Sequence, residues 1–249
     1  MVALIAGALN SLAGGGSFLS FPTLVFTGLP TTIANATNTV ALWPGTVAST
    51  GAYRKALDWP LVRRMMPLII ITVAGSLVGA VLLMKTHPTT FDRLVPWLLF
   101  AGTLFFNCRE RITGWVARHI ETRFPSVWKA AWLTLVQGIL AVYLGYFGAG
   151  VGIVMLPLIS LMGVSNIFSL AGMRTLLVTC GNAVAVAVFI VAHLVFWPKA
   201  LVMMVGAILG GYAGAWYAQK LSPKTISRVV IAIGYAMAVY FFWRTYLRG

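Results

Sequence analysis

Hydrophobic residues in this chain fall in long unbroken blocks rather than in one-sided stripes. Residues 1–53 contain no Asp, Glu, Lys or Arg, and neither do residues 130–173. A helix rises about 1.5 Å per residue and a bilayer core is about 30 Å thick, so each stretch is too long for a single crossing. Each must turn at least once. The blocks resolve into eight apolar segments, residues 2–28, 33–52, 65–84, 93–107, 130–164, 167–194, 199–219 and 226–246. The predicted fold class is therefore an all-α integral membrane protein.

The first and fifth segments are interrupted by glycine, at Gly14-Gly15-Gly16 and at Gly148-Ala149-Gly150-Val151-Gly152, each followed by a proline, Pro22 and Pro157. Sliding the chain by 135 positions lays Gly15 on Gly150, Pro22 on Pro157 and Gly28 on Gly163. With small gaps Thr39 meets Thr175, Gly45 meets Gly181, and Trp59-Pro60 meets Trp197-Pro198. Further on, Gly75, Gly79, Lys85, Pro88, Thr90 and Arg93 meet Gly210, Gly214, Lys220, Pro223, Thr225 and Arg228. An ordered series of this kind predicts two homologous four-segment halves, residues 1–107 and 134–249, joined by a basic cytoplasmic connector, residues 108–133. The connector carries Arg and Glu at helical spacings and reads as a short surface helix.

If the glycine segments cross the membrane, the halves are parallel. If they dip in and return, the halves are inverted. Either arrangement puts the two most basic loops, residues 53–64 and 109–129, on one side, which the positive-inside rule makes the cytoplasm. Eight crossings are expected, because the fifth segment is longer than a minimal re-entrant hairpin needs. Gly75-Ser76 with Gly79-Ala80, and Gly210-Gly211 with Gly214-Ala215, are small-xxx-small patterns that mark close helix packing of the third and seventh segments.

Composition sharpens this picture. Mean hydropathy is +0.92 and 9% of the 249 residues are charged, against about a quarter in a soluble domain. The net charge of +14 would suggest nucleic acid in a soluble protein. Here the Lys and Arg sit in loops between apolar blocks, so no nucleic-acid partner is expected. The start of the chain lacks the basic region of a cleavable signal peptide, so the first segment is taken as part of the fold. Cys108 and Cys180 make no disulfide framework.

Arg174 is the one Lys or Arg inside an otherwise uncharged stretch, about two turns into the sixth segment. A cation there costs roughly 2.5–3.5 kcal/mol on insertion scales, and an unpaired one suits an anionic substrate. Its plain alternative is to snorkel or to bond backbone carbonyls. By the repeat its counterpart is Asn38, in the polar run of residues 34–39 that also holds Asn35 and Thr39. Thr175 follows Arg174. Helices starting after Gly16 and Gly152 would aim free N–H groups and partial positive charge at an anion. Gly14, Gly15, Gly16, Ser17, Gly148, Gly150 and Gly152 thus join Asn35, Asn38, Thr39, Arg174 and Thr175 as the candidate substrate site. Asn10 and Ser11 are polar neighbours.

All four acids, Asp58, Asp92, Glu110 and Glu121, fall outside the apolar segments and are read as loop residues. No carboxylate is left within the membrane to carry protons or bind sodium. An inside-negative potential drives anion export by about 2.3 kcal/mol per charge per 100 mV, so export needs no coupled ion. His193 sits at a segment end, as interfacial residues do. No enzyme signature, metal cluster or cofactor motif appears, so no enzyme, metal or cofactor is expected.

These residues resemble the sulfite exporter TauE/SafE family, also called the toluene sulfonate uptake permease family. The resemblance rests on the glycine segment ending in Pro22, the polar run 34–39, the basic loop through Asp58-Trp59-Pro60, Leu221-Ser222-Pro223-Lys224 before Arg228, and the second copy, residues 148–157. Leu12-Ala13 stand where that family often has a further glycine. The resemblance covers nearly the whole chain and implies a multi-pass permease of the cell membrane for sulfite, sulfonates or related anions. Export of sulfite or a small organosulfonate is the leading expectation. Uptake of a sulfonate or thiosulfate-like anion, and an anion channel or membrane scaffold without carrier activity, remain open. The partners implied are the small anion and the lipid bilayer, with a homodimer left open.

Overall fold

The computed structural model describes residues 1–123, 126–217 and 223–247, and these form helices and short turns, with no strand among them. The helices are α1 (Val2–Ala13), α2 (Ser17–Phe26), α3 (Thr31–Ala52), α4 (Trp59–Arg64), α5 (Met66–Lys85), α6 (Pro88–Arg123), α7 (Ser126–Tyr146), α8 (Val151–Leu161), α9 (Ile167–Val191), α10 (Trp197–Tyr217) and α11 (Pro223–Phe242). A π turn, Trp243–Leu247, extends α11. The spans Met66–Lys85, Ile167–Val191 and Ser227–Leu247 are each long and apolar enough to cross a bilayer.

The helix breaks fall where glycine adopts a backbone that L side chains resist. Gly14 closes α1 at φ 71, and Gly148 and Gly150 stand between α7 and α8 at φ 73 and 78. These turns reverse the chain. Gly16 at the start of α2 lies against the carbonyl of Ala6, and the far end of α2 at Thr27 meets Lys199 in the first turn of α10. Likewise Gly150 lies by Gly102, within α6, and the far end of α8 at Met162 meets Arg64, ahead of α5. Both glycine segments are hairpins.

This differs from the expectation of eight crossings. The left-handed glycines turn α2 and α8 back toward the face from which each segment came. The extra length of the fifth segment goes into α7, a full-length helix, while α8 is half as long. The basic connector differs too. Backbone helix α6 runs unbroken through Arg123, so no separate surface helix forms among the described residues of the connector. Asp92, Glu110 and Glu121, expected in loops, lie on α6, and the Thr31 hydroxyl donates to Asp92.

Helix directions follow from contacts. Ala3, Leu4 and Ala8 of α1 meet Gly206, Gly210 and Gly214 of α10 in order, so the two run the same way. α3 joins them, with Gly45 by Ala207 and the Ser49 hydroxyl donating to the Gly211 carbonyl at 3.0 Å. α5, α7 and α9 form the second set. Gln137 donates to Thr72 at 2.8 Å, Ser76 to the Ala141 carbonyl at 3.2 Å, and Gly181 lies by Ser76. The sets run oppositely: Trp43 of α3 bonds the Thr179 carbonyl, while Tyr53, after α3, packs on Gly172 earlier in α9. The small-xxx-small glycines of α5 and α10 thus receive α7 and α1, close enough that backbones touch.

Aromatic rings tie the hairpins together. Phe21 of α2 lies 5.3 Å from Phe147 and 5.8 Å from Phe241, and Phe18 lies 6.4 Å from Phe106. All five are buried.

Candidate binding cavity at the hairpin tips

The tips of the two hairpins line a cavity of about 40 Å³, where one water needs roughly 10–15 Å³. The first hairpin lines it with Asn10, Gly14 and Ser17, and the second with Gly148, Val151 and Gly152. Leu144 of α7, Thr46 of α3 and Arg174, Thr175, Val178 and Asn182 of α9 complete the polar and apolar walls.

Arg174 is 2% exposed. Its Nη2 donates to the Ser11 carbonyl at 2.5 Å and to the Asn10 carbonyl at 3.3 Å. These oxygens belong to the last turn of α1, where carbonyls lack helical partners and the helix dipole is negative. The guanidinium therefore caps α1 from across the cavity. Its Cγ and Cδ pass within contact distance of Gly152, at 3.6–3.7 Å from where a Cβ would stand. Nε and Nη1 bond no described residue, and no described carboxylate pairs with the cation. Buried charge without a counter-ion is costly enough, at several kcal/mol, to need a reason. Tyr53 lies beside it at the end of α3. Burial pushes the Tyr53 phenol above its ordinary value, with the Arg174 charge pulling the other way, so the hydroxyl stays un-ionised at neutral pH.

The other donors sort by what they have left to give. Asn38 accepts from the Ser20 hydroxyl at 2.5 Å and donates to Ser17 Oγ at 3.2 Å. Ser17 accepts that bond, which leaves its own proton for the cavity. Asn182 makes no side-chain bond to a described residue, so its amide is free. Thr175 and Thr46 spend their protons on carbonyls of their own helices, Ala171 and Gly172 for the first and Trp43 for the second. Asn10 Oδ1 accepts from the Gly16 amide at 2.8 Å, closing the first hairpin and using one N–H at the start of α2. The leftover set is cationic and rich in donors, which fits a small anion with several acceptor oxygens. Among the described residues no three His, Cys, Asp or Glu side chains gather as a metal site requires.

Of the residues singled out from sequence, Gly14, Ser17, Gly148, Gly152, Arg174 and Thr175 line this cavity. The rest stand behind it. Gly15 packs on Val230 and Phe106, Gly16 on Ala6, and Gly150 on Phe18. Asn35 donates to the Tyr146 carbonyl, Thr39 to the Asn35 carbonyl, and Asn38 holds Ser17. Thr46 and Asn182 were missed. The signal for them was present: the 136-position offset that pairs Asn38 with Arg174 also pairs Thr46 with Asn182.

A helical, apolar chain whose broken hairpins meet at a buried cation is built as a transporter is, with irregular backbone confined to the lining of a cavity. The chain belongs to the sulfite exporter TauE/SafE family, whose model matches residues 1–241. It is a multi-pass membrane transporter of that family. It is 29% identical to "Probable membrane transporter protein ORF9" of Sinorhizobium sp over 241 residues, covering 96% of this chain and 89% of that protein. It is 26% identical to a "Probable membrane transporter protein" of Haemophilus influenzae, covering 95% and 90%. With "Probable membrane transporter protein YfcA" of Escherichia coli K12 the figures are 25%, 95% and 86%. No solved structure matches the chain.

Proposed function

We propose that this protein is a plasma-membrane permease that exports sulfite or a similarly small organosulfonate. The observation that carries this reading is Arg174, buried without a carboxylate partner at the wall of a cavity that also offers the Ser17 hydroxyl and the Asn182 amide. Three sources of donors around one space suit a pyramidal or tetrahedral oxyanion. The membrane potential supplies the drive for export.

In this reading the chain is two homologous halves, residues 1–107 and 134–249, in inverted orientation, with the basic stretch 108–133 in the cytoplasm. The mated contacts support it. Gly45 packs on Ala207 as Gly181 packs on Thr72, with Gly45 and Gly181 136 positions apart and Thr72 and Ala207 135 apart in sequence. Each half lends its third long helix to the other, so the cavity lies between halves that can rock about it.

The test is flux of labelled sulfite from proteoliposomes of purified protein, with sulfate and thiosulfate as competitors. Saturable export with counter-flow is expected. A non-saturating current would instead identify a channel, and no flux of any sulfur oxyanion would remove the reading.

A further inference from the structure

We propose that Arg64 and Lys199 are paired latches that hold the two hairpins closed on opposite membrane faces, and that release of either opens the cavity toward its own face. This rests on the carrier reading above.

The two devices share their geometry. Lys199, in the first turn of α10, donates through Nζ to the Thr27 carbonyl at 2.9 Å and the Thr27 hydroxyl at 2.8 Å. Arg64, the last residue of α4, donates through Nη2 to the Met162 carbonyl at 2.5 Å. Thr27 and Met162 are the C-caps of α2 and α8, with backbones of φ −82, ψ 10 and φ −83, ψ 8. Each is followed by a left-handed glycine, Gly28 at φ 90 and Gly163 at φ 89. The amides of those glycines bond the Val25 and Ser160 carbonyls at 3.0 and 2.9 Å. Thr27 with Met162, and Arg64 with Lys199, are each separated by the 135-position offset of the repeat. A Cβ at Gly163 would come 2.8 Å from the Arg64 guanidinium, so the glycine also makes room for it.

Neither cation lines the cavity, so neither is there to hold an anion in this state. Each sits instead where a helix end exposes unpaired carbonyls and a partial negative charge. α2 runs from Ser17 at the cavity to Thr27 at one face. α8 runs from Gly152 at the cavity to Met162 at the other. Each short helix therefore fills the path between the cavity and one face, and its outer end is tied to an element of the opposite half. An exposed cation at a helix C-terminus biases an equilibrium by roughly two- to fivefold, weak enough to break in every cycle.

The test places a reporter inside. Val178, which lines the cavity, is replaced by Cys in a Cys108→Ser, Cys180→Ala background. Labelling by a membrane-impermeant maleimide is then timed in right-side-out and inside-out vesicles. Lys199→Gln is expected to raise the rate from the Thr27 face about two- to fivefold without raising it from the other. Arg64→Gln is expected to do the reverse. Lys199→Arg and Arg64→Lys keep the donors and should keep the parent ratio. Unchanged labelling in both Gln variants, or an equal rise from both faces, would overturn the latches. Sulfite flux is measured in parallel. Shifted labelling in a protein that moves no sulfite keeps the latches and removes the sulfite carrier, whereas flux with unshifted labelling removes the latches alone.

Discussion

The guanidinium of Arg174 reaches across the cavity from α9 and donates to the main-chain oxygen of Ser11 at the end of α1. One side chain thus ties a continuous helix to the tip of a broken one, at the place where the proposed substrate would bind. An anion that took the guanidinium would compete with the α1 carbonyls for it.

That competition separates binding from stability. Arg174→Met keeps the aliphatic stem and removes the charge. The insertion cost relieved, roughly 2.5–3.5 kcal/mol, exceeds the helix-capping contribution lost, about 0.3–1 kcal/mol. We expect the variant to be at least as heat-stable as the parent in detergent. Sulfite binding should weaken by roughly 10- to 100-fold, the worth of a hydrogen bond to a charged group. Arg174→Lys should recover part of it, since a point charge replaces a planar fork. Calorimetric titration of the purified variants decides this, and parent-like affinity in Arg174→Met would remove Arg174 from the site.

The tip glycines should divide into two kinds. A Cβ on Gly152 would sit 3.5–3.7 Å from Val178 and Arg174, in ordinary contact and inside the cavity. Gly152→Ala should fold normally and lose flux severalfold by filling that space. A Cβ on Gly150 would meet the Phe18 ring at 2.9 Å on a backbone at φ 78. Gly150→Ala should therefore lose about 1–3 kcal/mol of stability. Measured together, flux should fall at a parent-like melting temperature in Gly152→Ala, whereas the melting temperature itself should fall in Gly150→Ala. A destabilised Gly152→Ala with parent-like flux would contradict the cavity assignment.

Polar groups lining the cavity should matter by the proton each has free. Asn182→Leu and Ser17→Ala each remove a donor, and about tenfold weaker sulfite binding is expected of each. Thr46→Val should change affinity less than threefold, because the Thr46 proton is already given to Trp43. Equal losses at all three positions would mean that shape, rather than hydrogen bonding, sets affinity.

Much of this was legible in the sequence, and the residues show why the rest was not. Gly14, Gly148 and Gly150 announce helix breaks because few other residues accept their φ. Arg174 announces itself because charge is rare in apolar sequence. The hairpins were hidden, since Arg54, Lys55, Arg63 and Arg64 fall on the same side whether the glycine segments cross or return. Asn182 and Thr46 were hidden because a lone polar residue in an apolar helix is ordinary packing until its neighbours are known. Asn38 stands in register with Arg174 but outside the cavity lining, where its amide donates to Ser17 and accepts from Ser20.

Sidedness gives a direct check on the hairpins. Single cysteines at Asp58 and at His87, in the background lacking Cys108 and Cys180, should label from opposite sides, with Asp58 cytoplasmic. A cysteine at Leu247 should label with His87, because Tyr246 beside it bonds the Arg93 carbonyl near the start of α6. Eight full crossings would instead place Leu247 with Asp58, and that result would overturn the hairpin arrangement in the membrane.

The last expectation concerns coupling and pH. Asp58 precedes α4, and Asp92 is exposed near the start of α6, held by Thr31. Neither lines the cavity, and no Asp or Glu falls in residues 1–53 or 122–249, where every residue lining it lies. Transport should therefore be indifferent to sodium and should carry no proton on the protein. Sulfite itself titrates near neutrality, so its flux should vary with pH through the supply of the preferred ionic form. A small alkyl sulfonate stays ionised across the same range and should show a flat profile. Comparing the two in one vesicle preparation separates substrate titration from protein titration. A matching slope for both would put the titrating group on the protein and overturn this expectation.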